Sequence, residues 1–284
     1  MTKPRIVALV VLTVAAGYFV AGPAATVPRS GTAVWLAVLF HTLLGTALVA
    51  GGTNALNQVA ERNVDALMRR TCGRPLPAGR LAPGVAAVFA WTIALLGLVE
   101  LAAFVNEATA LLAAATLVSY VYVYTPLKRR TTLATLVGAV PGALPIVGGW
   151  AAAGAPLDVR AGALFGLLFL WQIPHFLALA WMYREDYARA GLKMLSVGDE
   201  GGGVTFRQAT LNAAALLPVG LVPFVLGMAG AVYFAGALVL SAGLFALAFV
   251  AARAPSAAAA RRLFLATLVY LPAILSLMAA NRAA

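Results

Sequence analysis

Long apolar stretches, separated by short clusters of charged residues, run the length of this chain. Nine of them approach the roughly 20 residues needed to cross a bilayer. They lie near 6–22, 32–51, 82–103, 108–126, 134–153, 162–182, 210–228, 231–252 and 262–280. The pattern predicts an all-α integral membrane protein, a single polytopic domain over 1–284 with nine transmembrane helices. The seventh and eighth stretches, parted by a few residues around Gly230, are expected to form a tight helical hairpin. The first follows Lys3 and Arg5 and precedes Gly22-Pro23-Ala24-Ala25, the outline of a secretory signal peptide. Because so many similar stretches follow it, a retained first span is the simpler reading.

Composition agrees with the pattern. Hydrophobic residues make up 63% of the chain and charged ones 10%, against about a quarter charged in soluble domains. Too few polar residues remain to cover a water-soluble surface. The net charge of +11 would suit a nucleic-acid partner, but the cations sit between the apolar stretches, where Lys and Arg orient spans. With the N-terminus inside, the inner segments hold Lys3, Arg5, Arg62, Arg69, Arg70, Arg74, Arg80, Lys128, Arg129, Arg130, Arg184, Arg189, Lys193, Arg207, Arg253, Arg261 and Arg262. Only Arg29, Arg160 and Arg282 fall outside. Seventeen against three fixes the orientation expected: a plasma-membrane protein with its N-terminus cytoplasmic and its C-terminus outside. Nucleic acid is excluded as a partner and the lipid bilayer takes its place. A single cysteine, Cys72, excludes an intramolecular disulfide framework and a Cys-rich metal site.

The same partition places Glu61, Asp65, Glu185, Asp186, Asp199 and Glu200 inside and Glu100, Glu107 and Asp158 outside. Function is therefore expected on the inner face, after the second and sixth spans. There Asn57, Glu61 and Asp65 recur every four residues, a spacing that on one helix aligns them along a face about 6 Å apart in rise. An amide and two carboxylates so placed can hold Mg²⁺, which takes one or two carboxylates and completes its shell with water and substrate phosphate. Like charges four residues apart otherwise disfavour a helix. Arg70 and Arg74 follow at once and suit a phosphate, which a guanidinium grips bidentately. The plainer alternative is a solvated helix end whose arginines neutralise its acids.

After the sixth span, Glu185 and Asp186 provide a second pair of acids beside Arg184, Arg189 and Lys193. His175 lies ten residues earlier, about 15 Å along a helix and near mid-bilayer, where an ionisable group is a functional candidate. Pro174 before it removes a backbone donor and loosens the helix. A neutral histidine bonded to a neighbouring span is the competing account, and for His41 in the second span it is the favoured one. Lys128, Arg129 and Arg130 form a third inner cluster, explained by membrane anchoring with phosphate contact as an addition. Gly198–Gly203 reads as a flexible connector without the context of a nucleotide-binding loop.

At these residues the chain resembles the UbiA-type intramembrane prenyltransferases, and among them the protohaem IX farnesyltransferases. The likeness is carried by Lys3-Pro4-Arg5, by Asn57-x3-Glu61-x3-Asp65-x2-Met68-x-Arg70-Thr71-x2-Arg74-Pro75-Leu76, and by Tyr124-Thr125 through Thr131. It continues through Gly142 to Trp150, Trp171-x2-Pro174-His175-Phe176, and Glu185-Asp186-Tyr187 through Leu195. The first acidic motif is common to the superfamily; the Arg-Thr-x2-Arg-Pro tail and Pro-His-Phe point to haem. Departures are Glu61 for a frequent Asp, Asn63 for a frequent acid, Gln172-Ile173 for Thr-Pro and Lys193 for Pro.

The resemblance implies a UbiA-like helix bundle around a central cavity and transfer of the farnesyl group of farnesyl diphosphate to a vinyl group of haem b. Water then quenches the cation to give haem O and diphosphate. It implies Asn57, Glu61, Asp65, Glu185 and Asp186 as catalytic residues and Mg²⁺ held by Asn57, Glu61, Asp65 and Asp186. Diphosphate falls to Arg70, Arg74, Lys128 and Arg129, haem to His175, and a downstream haem-modifying enzyme is the implied protein partner. Two rivals remain: a prenyltransferase acting on an aromatic quinone precursor, against which Pro174-His175-Phe176 speaks, and a transporter using His175 as a relay. A transporter is expected to show repeated, broken spans, and none is evident.

Overall fold

The computed structural model describes residues 1–22 and 31–282, so Arg29 of the charge count lies outside the described residues. In chain order the helices are α1 (Pro4–Ala21), α2 (Gly31–Ala60), α3 (Arg62–Asp65), α4 (Pro83–Phe104), α5 (Glu107–Val118), α6 (Thr125–Leu127), α7 (Ala134–Ala152), α8 (Val159–Met182), α9 (Arg184–Arg189), α10 (Gly203–Val225), α11 (Ala231–Arg253) and α12 (Ala257–Ala280). Nine helical stretches among the described residues are long and apolar enough to cross a membrane, α5 running on to Leu127 as one of them. These are the nine expected, and the chain is a multi-pass membrane protein.

Three boundaries differ from expectation. The second span continues to Ala60, the seventh starts at Gly203 and the ninth at Ala257. In α2 the reason is local: Thr53 Oγ1 donates to Val49 O (2.8 Å) and Asn54 Nδ2 to Ala50 O (3.0 Å), so polar residues satisfy themselves on their own helix. At α10, Asp199 Oδ2 accepts from Thr205 N (2.7 Å), so the glycine-rich segment is a helix entrance rather than a mere connector. Burial pushes the Asp199 pKa up, but hydrogen bonds from Thr205, Val204 and Gly202 outweigh it and hold the carboxyl below its ordinary 3.8. The fourth span also departs from a plain α-helix. Ser119–Tyr124 form a π-helical turn in which Thr125 N reaches back to Tyr120 O.

The chain divides into two units, Met1–Leu127 with Ala143–Leu157, and Lys128–Gly142 with Asp158–Ala284; α7 gives its first half to the second unit and the rest to the first. In the first unit α2 lies along α4 and α1 along the end of α7. A Cβ on Gly52 would fall 2.7 Å from Ala90 O, and one on Gly149 would fall 1.9 Å from Val14 O. Only glycine admits such approaches, which supply the packing that lipid-solvated helices need in place of a hydrophobic drive. In the second unit α8, α10, α11 and α12 pack on one another. Trp171 Nε1 donates to Thr267 O (2.8 Å) between α8 and α12, and Tyr233 Oη to Gly220 O (2.7 Å) across the expected α10–α11 hairpin. Large apolar side chains such as Phe40, Val99, Leu111 and Val239 stand exposed, as a hydrocarbon surrounding permits.

Candidate active site

In the first unit α2 carries Asn57 into the interior, where it is 1% exposed. Both ends of its amide are engaged. Oδ1 accepts from Lys3 Nζ (3.1 Å), and Nδ2 donates to Glu61 Oε2 (3.0 Å) and Thr125 Oγ1 (3.1 Å). The helix then breaks at Glu61 (φ −97°, ψ 9°), and α3 begins. The expected single helical face is therefore corrected to a helix end, a bend and a short second helix. Backbone bonds from Glu61 N to Asn57 O (2.9 Å) and from Asp65 N to Glu61 O (2.7 Å) carry the four-residue spacing across the break.

Asp65 is also 1% exposed. Its Oδ2 accepts from Arg74 Nη1 (2.7 Å), and its backbone O from Thr71 Oγ1 (2.8 Å). A buried carboxylate without such a partner would cost several kcal/mol, so Arg74 is the group that compensates the burial of Asp65. The guanidinium has five donors, and this contact does not exhaust them. Arg70 lies exposed on the same segment.

The second acidic segment belongs to the second unit. α8 ends at Met182, Tyr183 turns the chain, and α9 follows. The two adjacent acids part company there. Asp186 is buried and bonded to Arg189, whereas Glu185 is exposed. Lys193 N donates to Lys128 O (2.8 Å), which joins the third basic cluster to this segment. Lys128 itself is buried, while Arg129 and Arg130 are exposed.

His175 sits on α8, which runs unbroken through Pro174. Its ring lies 5.4 Å from Trp171 and 4.8 Å from Phe264, nearly parallel to both. Nδ1 is 2.8 Å from Thr267 Oγ1, and that hydroxyl donates its one proton to Phe264 O (2.6 Å). Nδ1 is therefore the donor, leaving the lone pair on Nε2. His41 instead meets Glu100 Oε1 on α4 (2.7 Å) and stacks on Phe104, a link between two spans. Among the described residues no group of three or more His, Cys, Asp or Glu is placed to hold a metal. Two carboxylates and an amide are a lean set, which fits Mg²⁺ completing its shell with substrate phosphate.

Residues 10–271 match the UbiA prenyltransferase family. A protohaem IX farnesyltransferase of Solibacter usitatus is 45% identical over 99% of this chain and 97% of its own length. That of Koribacter versatilis is 43% identical over 99% and 92%. The chain belongs to the UbiA prenyltransferase family. Solved structures share the fold. A digeranylgeranylglyceryl phosphate synthase superposes with TM-score 0.79 at 14% identity over 99% of this chain and 95% of its own. A UbiA homologue from Archaeoglobus fulgidus, bound to GPP and Mg²⁺, gives 0.62 at 17% identity over 98% and 99%.

This UbiA member engages at its site residues that the sequence did not place there. Thr125 fixes the Asn57 amide, Lys3 meets that amide's oxygen, and Thr267 orients His175. Lys3 and Thr125 stand in recognisable motifs, but their partners lie 54 and 68 residues away, beyond any local pattern. Thr267 carries no signal at all, being one threonine in an apolar span. Gln172, a departure from the usual pattern, donates to Ala139 O (3.2 Å) and Leu168 O (2.9 Å) and fills the space over Gly142.

Proposed function

We propose that this chain transfers the farnesyl group of farnesyl diphosphate to a vinyl group of haem b, water adding to the resulting cation to give haem O and diphosphate. Its family is prenyl-transferring, and the relatives at 43–45% identity are named protohaem IX farnesyltransferases over nearly the whole chain. The observation that carries the chemistry is that acids and their partners gather in one segment at the end of α2: the Asn57–Glu61 amide–carboxylate contact, then buried Asp65 against Arg74.

Mg²⁺ held by Asn57, Glu61 and Asp65 would neutralise charge on the departing diphosphate. Arg74, oriented by Asp65, and the exposed Arg70 present guanidinium donors to the same anion, favouring the state in which its charge has developed. The kinked geometry keeps Glu61 at a bend, where its carboxylate is directed by the Asn57 amide rather than by a helix. On the sequence resemblance Asp186 is assigned to the metal, with Glu185 beside it as a further catalytic acid, and Lys128 and Arg129 to the diphosphate. His175, with Nδ1 committed to Thr267, offers Nε2 to haem iron. We place the protein in the plasma membrane with its N-terminus cytoplasmic, on the asymmetry of its Lys and Arg residues.

The test is incubation of detergent-purified protein with haem b, farnesyl diphosphate and Mg²⁺, read by mass spectrometry. Farnesylated haem is expected. Turnover of an aromatic acceptor with no haem product would overturn the assignment, and an Asp65→Ala variant that still turned over would overturn the metal site.

A further inference from the structure

The first three residues hold to the acidic motif. Lys3 has φ 52°, the only positive value at a non-glycine residue among those described, a conformation that costs about 1–2 kcal/mol. It opens α1 by accepting from Ile6 N (2.9 Å) and Val7 N (3.1 Å), and the turn aims its ammonium at Asn57 Oδ1. Two more contacts keep the segment there. Met1 O accepts from Gln58 Nε2, and the Thr2 methyl lies 3.5 Å from the Cβ position of Gly51. Strain of this kind persists only where the surroundings over-determine it, and the contacts around it converge on α2 next to the proposed metal ligands.

The Asn57 amide has one oxygen for a cation, and a lysine ammonium is using it. Its nitrogen is committed to Glu61 and Thr125, so the amide cannot turn over to offer another acceptor without losing both. Oδ1 keeps a second lone pair, but a divalent ion taking it would sit beside the ammonium, and like-charge repulsion sets the metal and Lys3 Nζ in competition. We propose that Lys3 is an internal substitute cation: it occupies Asn57 in the metal-free protein, and metal binding displaces it together with the strained first turn. This rests on the Mg²⁺–diphosphate reading of the motif. The displaced ammonium, tethered at the start of α1, stays beside a substrate whose charge it complements.

The experiment titrates Mn²⁺ alone into full-length protein in detergent, counting bound ion by electron paramagnetic resonance. In parallel, hydrogen exchange of the peptide spanning Ile6 and Val7 is followed with and without Mg²⁺. If Lys3 is docked about nine-tenths of the time, it masks about tenfold of the intrinsic affinity. Lys3→Met should therefore bind Mn²⁺ up to about tenfold more tightly than wild type. Mg²⁺ should speed exchange at Ile6 and Val7 in wild type. In Asn57→Ala exchange should already be fast and unresponsive to Mg²⁺. Equal Mn²⁺ affinity in wild type and Lys3→Met, with binding lost in Asn57→Ala, would overturn the proposal and leave the metal reading standing. Tighter binding by Lys3→Met without any metal-dependent exchange in wild type would reduce Lys3 to a background charge and also overturn it. No Mn²⁺ binding by either protein would overturn the metal reading itself.

Discussion

Replacing Thr125 by valine keeps the volume of a buried side chain and removes one hydroxyl. That hydroxyl accepts from Asn57 Nδ2 (3.1 Å) and donates to Tyr120 O (2.8 Å). Tyr120 O keeps a partner in the backbone N of Thr125 across the π turn, so the loss falls on Asn57. With Glu61 still bonded, the amide is left one donor short in a site that is 1% exposed. Depriving a buried donor of its partner costs about 1–3 kcal/mol. If the lost hydrogen bond is what holds Oδ1 toward the cation, that cost falls on the transition state and kcat/KM drops roughly 5- to 150-fold.

The assay is steady-state farnesylation of haem b at several Mg²⁺ concentrations, with thermal unfolding in detergent alongside. Thr125→Val should raise the Mg²⁺ requirement and lower kcat with a small change in Tm, and Thr125→Ser, which keeps the hydroxyl, should recover most of the activity. The reasoning is refuted if valine stays within about twofold of wild type with an unchanged Mg²⁺ dependence, or if serine is as impaired as valine.

Other substitutions probe separate parts of the structure. Arg74→Ala leaves the Asp65 carboxylate buried and alone, and should destabilise by about 3 kcal/mol or less, Arg74 being partly exposed. Thermal unfolding and the KM for farnesyl diphosphate should move together, and an unchanged Tm would deny the ion pair its structural part. Thr267→Val removes the acceptor that sets the His175 tautomer; haem affinity followed by the Soret band should weaken about 10- to 100-fold, with an unaltered spectrum counting against iron ligation. Gly149→Ala places a methyl 1.9 Å from Val14 O, so α1 must shift from α7. Lower yield and Tm are expected, whereas Gly148→Ala, with nothing within 4 Å of its Cβ position, should be tolerated.

The spans were readable because length and apolarity are summed properties: twenty residues outvote a misplaced threonine. Their ends were not, because an end depends on where individual polar groups find partners. Gly51 to Asn57 reads as the exit from a membrane by composition, yet Thr53 and Asn54 bond back to their own helix and α2 runs to Ala60. The four-residue spacing singled out Asn57, Glu61 and Asp65, and backbone bonds carry that spacing through the structure. It could not show the bend at Glu61, which is a property of one backbone angle pair, nor that Arg74 rather than Arg70 would take Asp65.

What escaped the sequence was the set of residues that orient the proposed ligands. A metal ligand announces itself by chemistry, since few side chains can do its work. An orienting residue needs only a hydroxyl or an ammonium at the right place, which Thr125, Thr267 and Lys3 supply from distant segments. The π turn makes the difference concrete. The widened turn at Ser119–Tyr124 precedes Thr125, whose hydroxyl and backbone N–H both reach Tyr120 O. A plain α-helix over the same residues would commit Thr125 N to Val121 O and change the phase at which the hydroxyl meets Asn57. Such turns recur at functional sites, and here one consequence can be named: the irregularity sets the Thr125 hydroxyl against the Asn57 amide nitrogen, whose oxygen meets the Lys3 ammonium.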